Sequence, residues 1–383
     1  MLHLAPVAAE LARRGTVEVQ AVVADDAEEG ALRAIFAGLG ADVPIARLPL
    51  SGWATLAGHA SRKWRALKVP RLIAAARMLS RFDILVAAER TSTLLKRLPG
   101  VSPFMVHIPH GAGDRAKGFE RRIGLFDHVI VAGPKDRARM IAEGVVRPER
   151  CSVSGYIKLD AVRAMAARRP RLFQNPRPVI LYNPHFHPKL GSWRRFGRTL
   201  IEQVRAHDDY NLVVAPHVRF AEGLSASERR AIEALAVHDR VLIDLGSPRS
   251  NDMTYTLGAD IYVGDVSSQV YEFLSEPRPC VFLNAGVERW EDNPSFASWQ
   301  FGAVVGDPAD AYRAVVDAPI RQAEFAAKQA EAVEAAFGPC DGSAIGRAAD
   351  ILTQLAEERR TARTSRTGVV EEAAEPPLTP ASR

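Results

Sequence analysis

The chain has 383 residues, 47% hydrophobic and 25% charged, with a formal net charge of +5. That length is too great for one ordinary core and points to two domains of globular composition. The three cysteines, Cys151, Cys280 and Cys340, are odd in number and far apart, which excludes a disulfide framework and a cysteine zinc site, and no run of about 18 apolar residues or signal peptide predicts a span or export.

Met1 to Gly15 reads as a helix closed by Gly15, followed by a strand from Val17 to Val23. A Rossmann-like half ordinarily begins with a strand and loop before such a helix. We therefore expect the first strand of the N-terminal domain to be missing, either lost from the fold or, as we favour, left out by a start placed too late. A helix over about Glu28 to Leu39 and a strand near Ile45 come next.

Between Val43 and Phe82 there is no acidic residue, while Arg47, Arg62, Lys63, Arg65, Lys68, Arg71, Arg77 and Arg81 are basic, with Trp53 and Trp64 among them. An anionic membrane surface fits this pattern, because tryptophan and basic side chains on helical segments are what interfacial binding uses. A solvated basic face is the plain alternative. No recognition motif accompanies the charge, so nucleic acid is not expected.

A strand at Asp83 to Ala87 is followed by Pro103 to Gly113, a strand running into a turn that carries His110 and Gly111. Gly111 lets backbone approach a ligand, and a strand end facing a cleft is the usual place for a working residue in an open α/β sheet. The strand-and-turn pattern repeats at Asp127 to Pro134, with a helix from Lys135 to about Glu143, and again at Cys151 to Asp160. Arg168 to Pro178 is a polar, proline-rich linker and predicts the domain boundary.

The second half restarts with a strand at Val179 to Asn183, the loop Pro184-His185-Phe186-His187-Pro188 and a helix near Arg195 to Ala206. A strand at Asn211 to Ala215 leads into Pro216-His217-Val218-Arg219. A helix over about Ala226 to Leu235, a strand at Val241 to Asp244 and a helix near Asn251 to Leu257 follow. Residues 258–274 are the centre of this half. Ile261 to Val263 is a β-prone run, Gly264 permits a bend, and Asp265, Ser267 and Ser268 are residue types that cap helices. Such a terminus offers free N–H groups and the positive end of a helix dipole to a phosphate, although a plain N-cap has the same composition. Cys280 to Leu283 is one more strand, Gln322 to Ala336 an amphipathic helix, and Asp341-Gly342-Ser343 caps a last helix through about Glu358. The charged, Thr-, Ser- and Pro-rich remainder predicts a disordered tail. The expected domains are 1–170, 171–358 and the tail 359–383.

Three strand ends thus carry His110-Gly111, His217-x-Arg219 and Asp265-x-Ser267-Ser268, a set suited to a diphosphate. Arginine and histidine neutralise charge, a helix terminus with serines binds oxygens, and a remaining histidine can deprotonate a hydroxyl.

These residues, with the turn Gly155 to Asp160, the opening Leu181-Tyr182-Asn183-Pro184, Phe273-Leu274, Pro279 and Asp341-Gly342, make residues from about His107 to Leu352 resemble the CDP-glycerol glycerophosphotransferases of teichoic-acid synthesis. The resemblance implies a GT-B fold of two facing Rossmann-like domains and transfer of a polyol phosphate from a CDP-linked donor to a lipid-linked glycan or polymer, with release of CMP. By the same resemblance His110 is the base for in-line attack on the β-phosphorus. His217 and Arg219 stabilise charge on the diphosphate, Gly111, Asp265, Ser267 and Ser268 bind the donor, and Glu272 meets its ribose or is a surface glutamate. The implied location is the cytoplasm, peripheral to the inner face of the membrane.

The chain departs from that family at Pro184-His185-Phe186-His187, where Pro-Thr-Trp-Arg or Pro-Thr-Phe-Arg is usual, and at Ala112-Gly113-Asp114-Arg115. The first change points to an altered donor or acceptor group, and a His-x-His pair also raises a metal site. No metal or other cofactor is expected, because no Asp-x-Asp stands at a strand end and Arg219 with the helix terminus can replace a cation. The competing readings are a GT-B glycosyltransferase using a nucleotide sugar, a UDP-sugar 2-epimerase, and a catalytically idle GT-B relative. Epimerases need a Gly-Gly turn where this chain has Ser267-Ser268.

Overall fold

The structure, a computed structural model, describes residues 1–49, 68–98, 101, 103–110, 119–166, 170–287 and 289–371. Gly111, the Ala112 to Arg115 departure, and residues 50–67 of the basic stretch, including Arg62 to Arg65, Trp53 and Trp64, lie outside the described residues.

The first half contains α1 (Ala5–Arg14), β1 (Ala21–Val23), α2 (Asp26–Gly38), β2 (Ile45–Arg47), α3 (Lys68–Leu79), β3 (Ile84–Ala87), β4 (Phe104–His107), β5 (His128–Val131), α4 (Pro134–Ala142), β6 (Cys151–Val153) and α5 (Ile157–Met165). Gly15 closes α1 at φ +65°, and the Asp25 carboxylate opens α2 by accepting the Glu28 N–H. β3 to β6 form a parallel sheet in sequence order, and β1 and β2 pair separately.

The second half contains β7 (Val179–Asn183), α6 (Arg198–Ala206), β8 (Asn211–Val214), α7 (Ala226–Glu233), β9 (Val241–Ile243), α8 (Thr254–Gly258), β10 (Ile261–Gly264), α9 (Gln269–Phe273), β11 (Cys280–Leu283), β12 (Ala303–Val305), α10 (Ala311–Phe337) and α11 (Ala344–Glu371). Its six strands are parallel in the order β12-β11-β10-β7-β8-β9. Apolar runs such as Val179 to Tyr182 and Leu212 to Val214 are buried along their whole length, as strands covered on both faces must be.

Helices cover both faces of each main sheet. Leu200, Ile201 and Val204 of α6 pack with Ala311 and Val315 of α10 on one face of the six-stranded sheet. The other face shares a cluster with Tyr156, Leu159 and Val162 of the first half, so one apolar core runs between the halves. At that junction a Cβ on Gly133 would stand 2.3 Å from the backbone of Ala336, so only glycine allows α4 to begin against the end of α10. α11 returns to the first half, where Ala344, Ala348 and Leu352 pack with Val7, Leu11, Val106 and Ile130.

Three sequence expectations are corrected. The helix expected from Gln322 begins at Ala311 and runs through Pro319, its early turns held on the sheet by Ala311, Tyr312 and Val315. Residues 360–371, expected in the tail, continue α11; Arg359 lies over the Phe104 ring at 5.2 Å and helps fasten this segment. The helix expected over Asn251 to Leu257 is instead α8, entered through Met253 at φ +67°. Among the described residues no helix is long and apolar enough to cross a membrane.

Candidate functional site

In the six-stranded sheet the strand order reverses between β7 and β10, whose parallel register ends at Asn183 opposite Gly264. Ligands of open α/β sheets bind beyond the carboxyl ends of the strands at such a reversal. Two loops leave that point, 184–192 after β7 and 265–268 after β10.

Asp265 ties the loops together. Its carboxylate, 1% exposed, accepts the His185 N–H at 3.0 Å, the Ser192 N–H at 2.7 Å, the Ser192 hydroxyl at 2.9 Å and the Val266 N–H at 2.6 Å. Burial raises its pKa against the opposing pull of these donors. Its own carbonyl accepts the Trp299 indole N–H at 2.7 Å. Asp265 is therefore occupied with the backbone of loop 184–192, which it shapes. Gly191 makes the loop possible, since a Cβ there would lie 2.2 Å from the His185 carbonyl oxygen.

His217, after β8, joins this loop through its N–H, which donates to Pro184 O at 3.0 Å. Its ring stands 5.3 Å from that of His185 and 4.8 Å from that of Phe186. The Arg219 guanidinium covers the Phe186 ring at 4.4 Å and lies 3.6 Å from Glu222. His185-Phe186 is thus the surface against which His217 and Arg219 are arranged.

The same local geometry fixes the protons of three imidazoles. Nδ1 of His185 accepts the His187 N–H at 3.1 Å, Nδ1 of His187 accepts the Lys189 N–H at 3.3 Å, and Nδ1 of His217 accepts the Arg219 N–H at 3.2 Å. A backbone amide can only donate, so each neutral ring carries its proton on Nε2 and acts there as a donor. That state suits phosphate oxygens. It disfavours a metal on the His185–His187 pair, because a metal on Nε2 moves the proton to an Nδ1 that already faces an N–H. Among the described residues there is no group of three or more potential metal ligands.

α9 is only five residues long, and Ser268 at its N-cap makes no side-chain cap bond. Ser267 is buried and Ser268 exposed, so of the two hydroxyls only that of Ser268 faces solvent. The anticipated helix dipole reduces to a short run of N–H groups beside one serine.

A second cluster contains His110 and Glu272. His110, 57% exposed, has Nε2 3.5 Å from Glu89 Oε1 and its ring 6.1 Å from that of His3. His3 is buried and tilts toward Tyr156 at 5.7 Å; burial first, then the charges of Lys158, His110 and the Met1 ammonium, holds its pKa well below 6.5. The Tyr156 hydroxyl and the Lys158 ammonium both donate to Glu272 Oε1 at 2.6 Å. Glu272 is therefore not the surface residue allowed for in the sequence. His217, Arg219 and Asp265 converge at the sheet reversal, while His110 is linked toward α9 through His3, Tyr156 and Glu272. His3, Glu89, Tyr156, Lys158 and Ser192 were not singled out by sequence; Tyr156 and Lys158 alone had a signal, the Gly-Tyr-Ile-Lys turn at a strand end.

Beside Arg219 an open cleft of about 590 Å³ lies beyond β9, lined by Val218, Glu222, Arg229, Asp244 and Ser247 among others. Asp244 is occupied there by Ser247 and Tyr255, whose hydroxyl donates at 2.7 Å.

No protein-family model and no curated protein sequence matches the chain. Solved structures do. A Listeria monocytogenes protein assigned as a UDP-N-acetylglucosamine 2-epimerase is 16% identical over 94% of each chain, with a TM-score of 0.62. Staphylococcus aureus MnaA, solved with UDP, is 14% identical over 93% of each chain, with a TM-score of 0.61. The wall teichoic acid polymerase TagF is 16% identical over 72% of this chain and 73% of its own, with a TM-score of 0.52. At these identities the likeness is one of fold, and the chain has the GT-B arrangement of two Rossmann-like halves.

Proposed function

We propose that the chain is a phosphotransferase of GT-B fold. It moves glycerol phosphate, or a related polyol or sugar phosphate, from a CDP-linked donor to a hydroxyl of a membrane-linked glycan or polymer and releases CMP. The observation that carries this reading is the set of donors on the loops at the sheet reversal. His217 and Arg219, after β8, pack against His185 and Phe186 of loop 184–192, and exposed Ser268 follows β10 on the neighbouring loop. Such donors can give a diphosphate charge-assisted hydrogen bonds.

In this reading the acceptor hydroxyl gives its proton to His110 as its oxygen attacks the β-phosphorus in line. The new P–O bond forms as the bond to CMP breaks, and CMP leaves with the electron pair. Glu89 at 3.5 Å steadies the resulting imidazolium. His217 and Arg219 bear the charge spread over the departing phosphate. The exposure of His110 suits a bulky acceptor better than a sealed small-molecule site.

Calorimetric titration tests the donor. CDP-glycerol binds the wild type, and Arg219→Ala weakens it about tenfold or more, the equivalent of one charge-assisted bond of roughly 1.5–3 kcal/mol. Binding of UDP-N-acetylglucosamine with no response to CDP-glycerol would turn the reading to a nucleotide-sugar enzyme.

A further inference from the structure

His3 stands beside His110 on the way to α9. It lies in the turn that opens α1, where the Leu4 and Ala5 N–H groups both donate to Met1 O, and only 9% of the residue is exposed. Its ring is 6.1 Å from that of His110 at 77° and 5.7 Å from that of Tyr156. The Tyr156 ring is itself fixed by stacking on Phe337 at 4.1 Å and 6°. These are ring contacts only. Among the described residues no hydrogen bond reaches either nitrogen of His3.

A neutral imidazole carries one N–H donor, and a buried donor without an acceptor is costly to keep. The groups whose charge acts on this ring, Lys158, His110 and the Met1 ammonium, are all bases, and with burial they favour its neutral form. A neutral donor in such surroundings is matched to an anionic oxygen. The spacing suits a phosphoryl group in transfer. A base lies about 2.6–3.2 Å from the oxygen it deprotonates, and that oxygen about 3–3.5 Å from the atom it attacks. The phosphorus thus comes within about 6 Å of the base, so a ring 6.1 Å from that of His110 is near enough to reach one of its oxygens.

We propose that His3 is a further catalytic residue, whose ring N–H donates to a non-bridging oxygen of the β-phosphoryl group as that group passes from CMP to the acceptor hydroxyl. This rests on the phosphotransferase reading above. The hydroxyl proton goes to His110, the new P–O bond forms as the bond to CMP breaks, and CMP takes the electron pair. The proton of His3 stays on its ring throughout. The first half then supplies both a base and a neutral donor, while His217 and Arg219 meet the charge from the second half.

The experiment measures kcat for CMP release with saturating membranes as the acceptor source, and the dissociation constant of CDP-glycerol, for the wild type, His3→Phe and His3→Asn, with circular dichroism to establish folding. Phenylalanine keeps a ring and removes the donor; asparagine keeps an N–H donor and loses the ring. His3→Phe lowers kcat about a hundredfold, as loss of one donor to a developing oxyanion does, while CDP-glycerol binds as before. His3→Asn restores kcat well above that of His3→Phe. Should His3→Phe not fold, His3→Asn against His3→Ala makes the same comparison. An unchanged kcat in His3→Phe, a loss confined to donor binding, or equal losses in the two variants overturns the proposal. If the wild type releases UMP from a UDP-linked donor and no CMP from CDP-glycerol, the CDP reading fails while the same variants on that donor still decide this one. Transfer from no donor overturns both.

Discussion

Replacing Asp265 with alanine removes the acceptor for three buried backbone donors, the N–H groups of His185, Ser192 and Val266, and for the Ser192 hydroxyl. Each orphaned buried donor costs roughly 1–3 kcal/mol. The hole left by the carboxylate admits a water that pairs with part of the set, which puts the expected loss at about 3–5 kcal/mol rather than the full sum. Such a loss speeds local opening about a hundredfold or more. Hydrogen exchange followed by mass spectrometry reads it directly, as faster exchange in a peptide covering 184–192 while β4 and β5 of the first half keep their protection. Asp265→Asn falls between, because one oxygen still accepts while the amide N–H₂ faces other donors. Unchanged exchange in 184–192 in Asp265→Ala would refute the claim that this carboxylate organises the loop.

His107 supplies a pH test. Burial holds its pKa down at about 4 from an ordinary 6.5, so between those values the unfolded chain binds a proton that the folded chain does not. Its contribution to stability is full above 6.5 and falls as the pH drops toward 4, by about 3 kcal/mol in all at 1.36 kcal/mol per unit. His107→Gln flattens that part of the urea-denaturation profile, and an unaltered slope would contradict the assignment. Gly191→Ala brings a Cβ to 2.2 Å from the His185 carbonyl oxygen, in a loop that Asp265 holds still. A loss of about 1–3 kcal/mol follows from such overpacking, and wild-type melting would show that the loop yields.

Much of the fold was legible because its central strands are unbroken apolar runs, Val179 to Tyr182 and Ile261 to Val263 among them, bounded by Pro, Gly and Asp. The start of α10 was not, since Pro319 interrupts the pattern and packing on the sheet overrides it. The end of α11 was missed for the reverse reason: its composition reads as tail, yet the helix continues and Arg359 finds Phe104. His217 and Arg219 could be singled out as a pair because they share one strand end. The partners of Glu272 could not, because Tyr156 and Lys158 are brought to it by closure of the halves, which leaves no local spacing to read.

His185 and His187 show how a short motif misleads in one direction and informs in another. By spacing they resemble metal ligands. In the structure each Nδ1 accepts a backbone N–H two residues on, and so each ring is set as a donor toward anions. The same i to i+2 arrangement at His217 makes the crevice consistent in its hydrogen-bond polarity.

The most direct test of the proposed reaction is turnover of CDP-glycerol labelled in its glycerol, supplied with membranes as the source of acceptor. The account predicts label in the lipid-linked fraction and an equal amount of free CMP, both lost in His110→Ala while CDP-glycerol still binds. CMP release that persists unchanged in His110→Ala, or label that never enters the lipid-linked fraction, would contradict it.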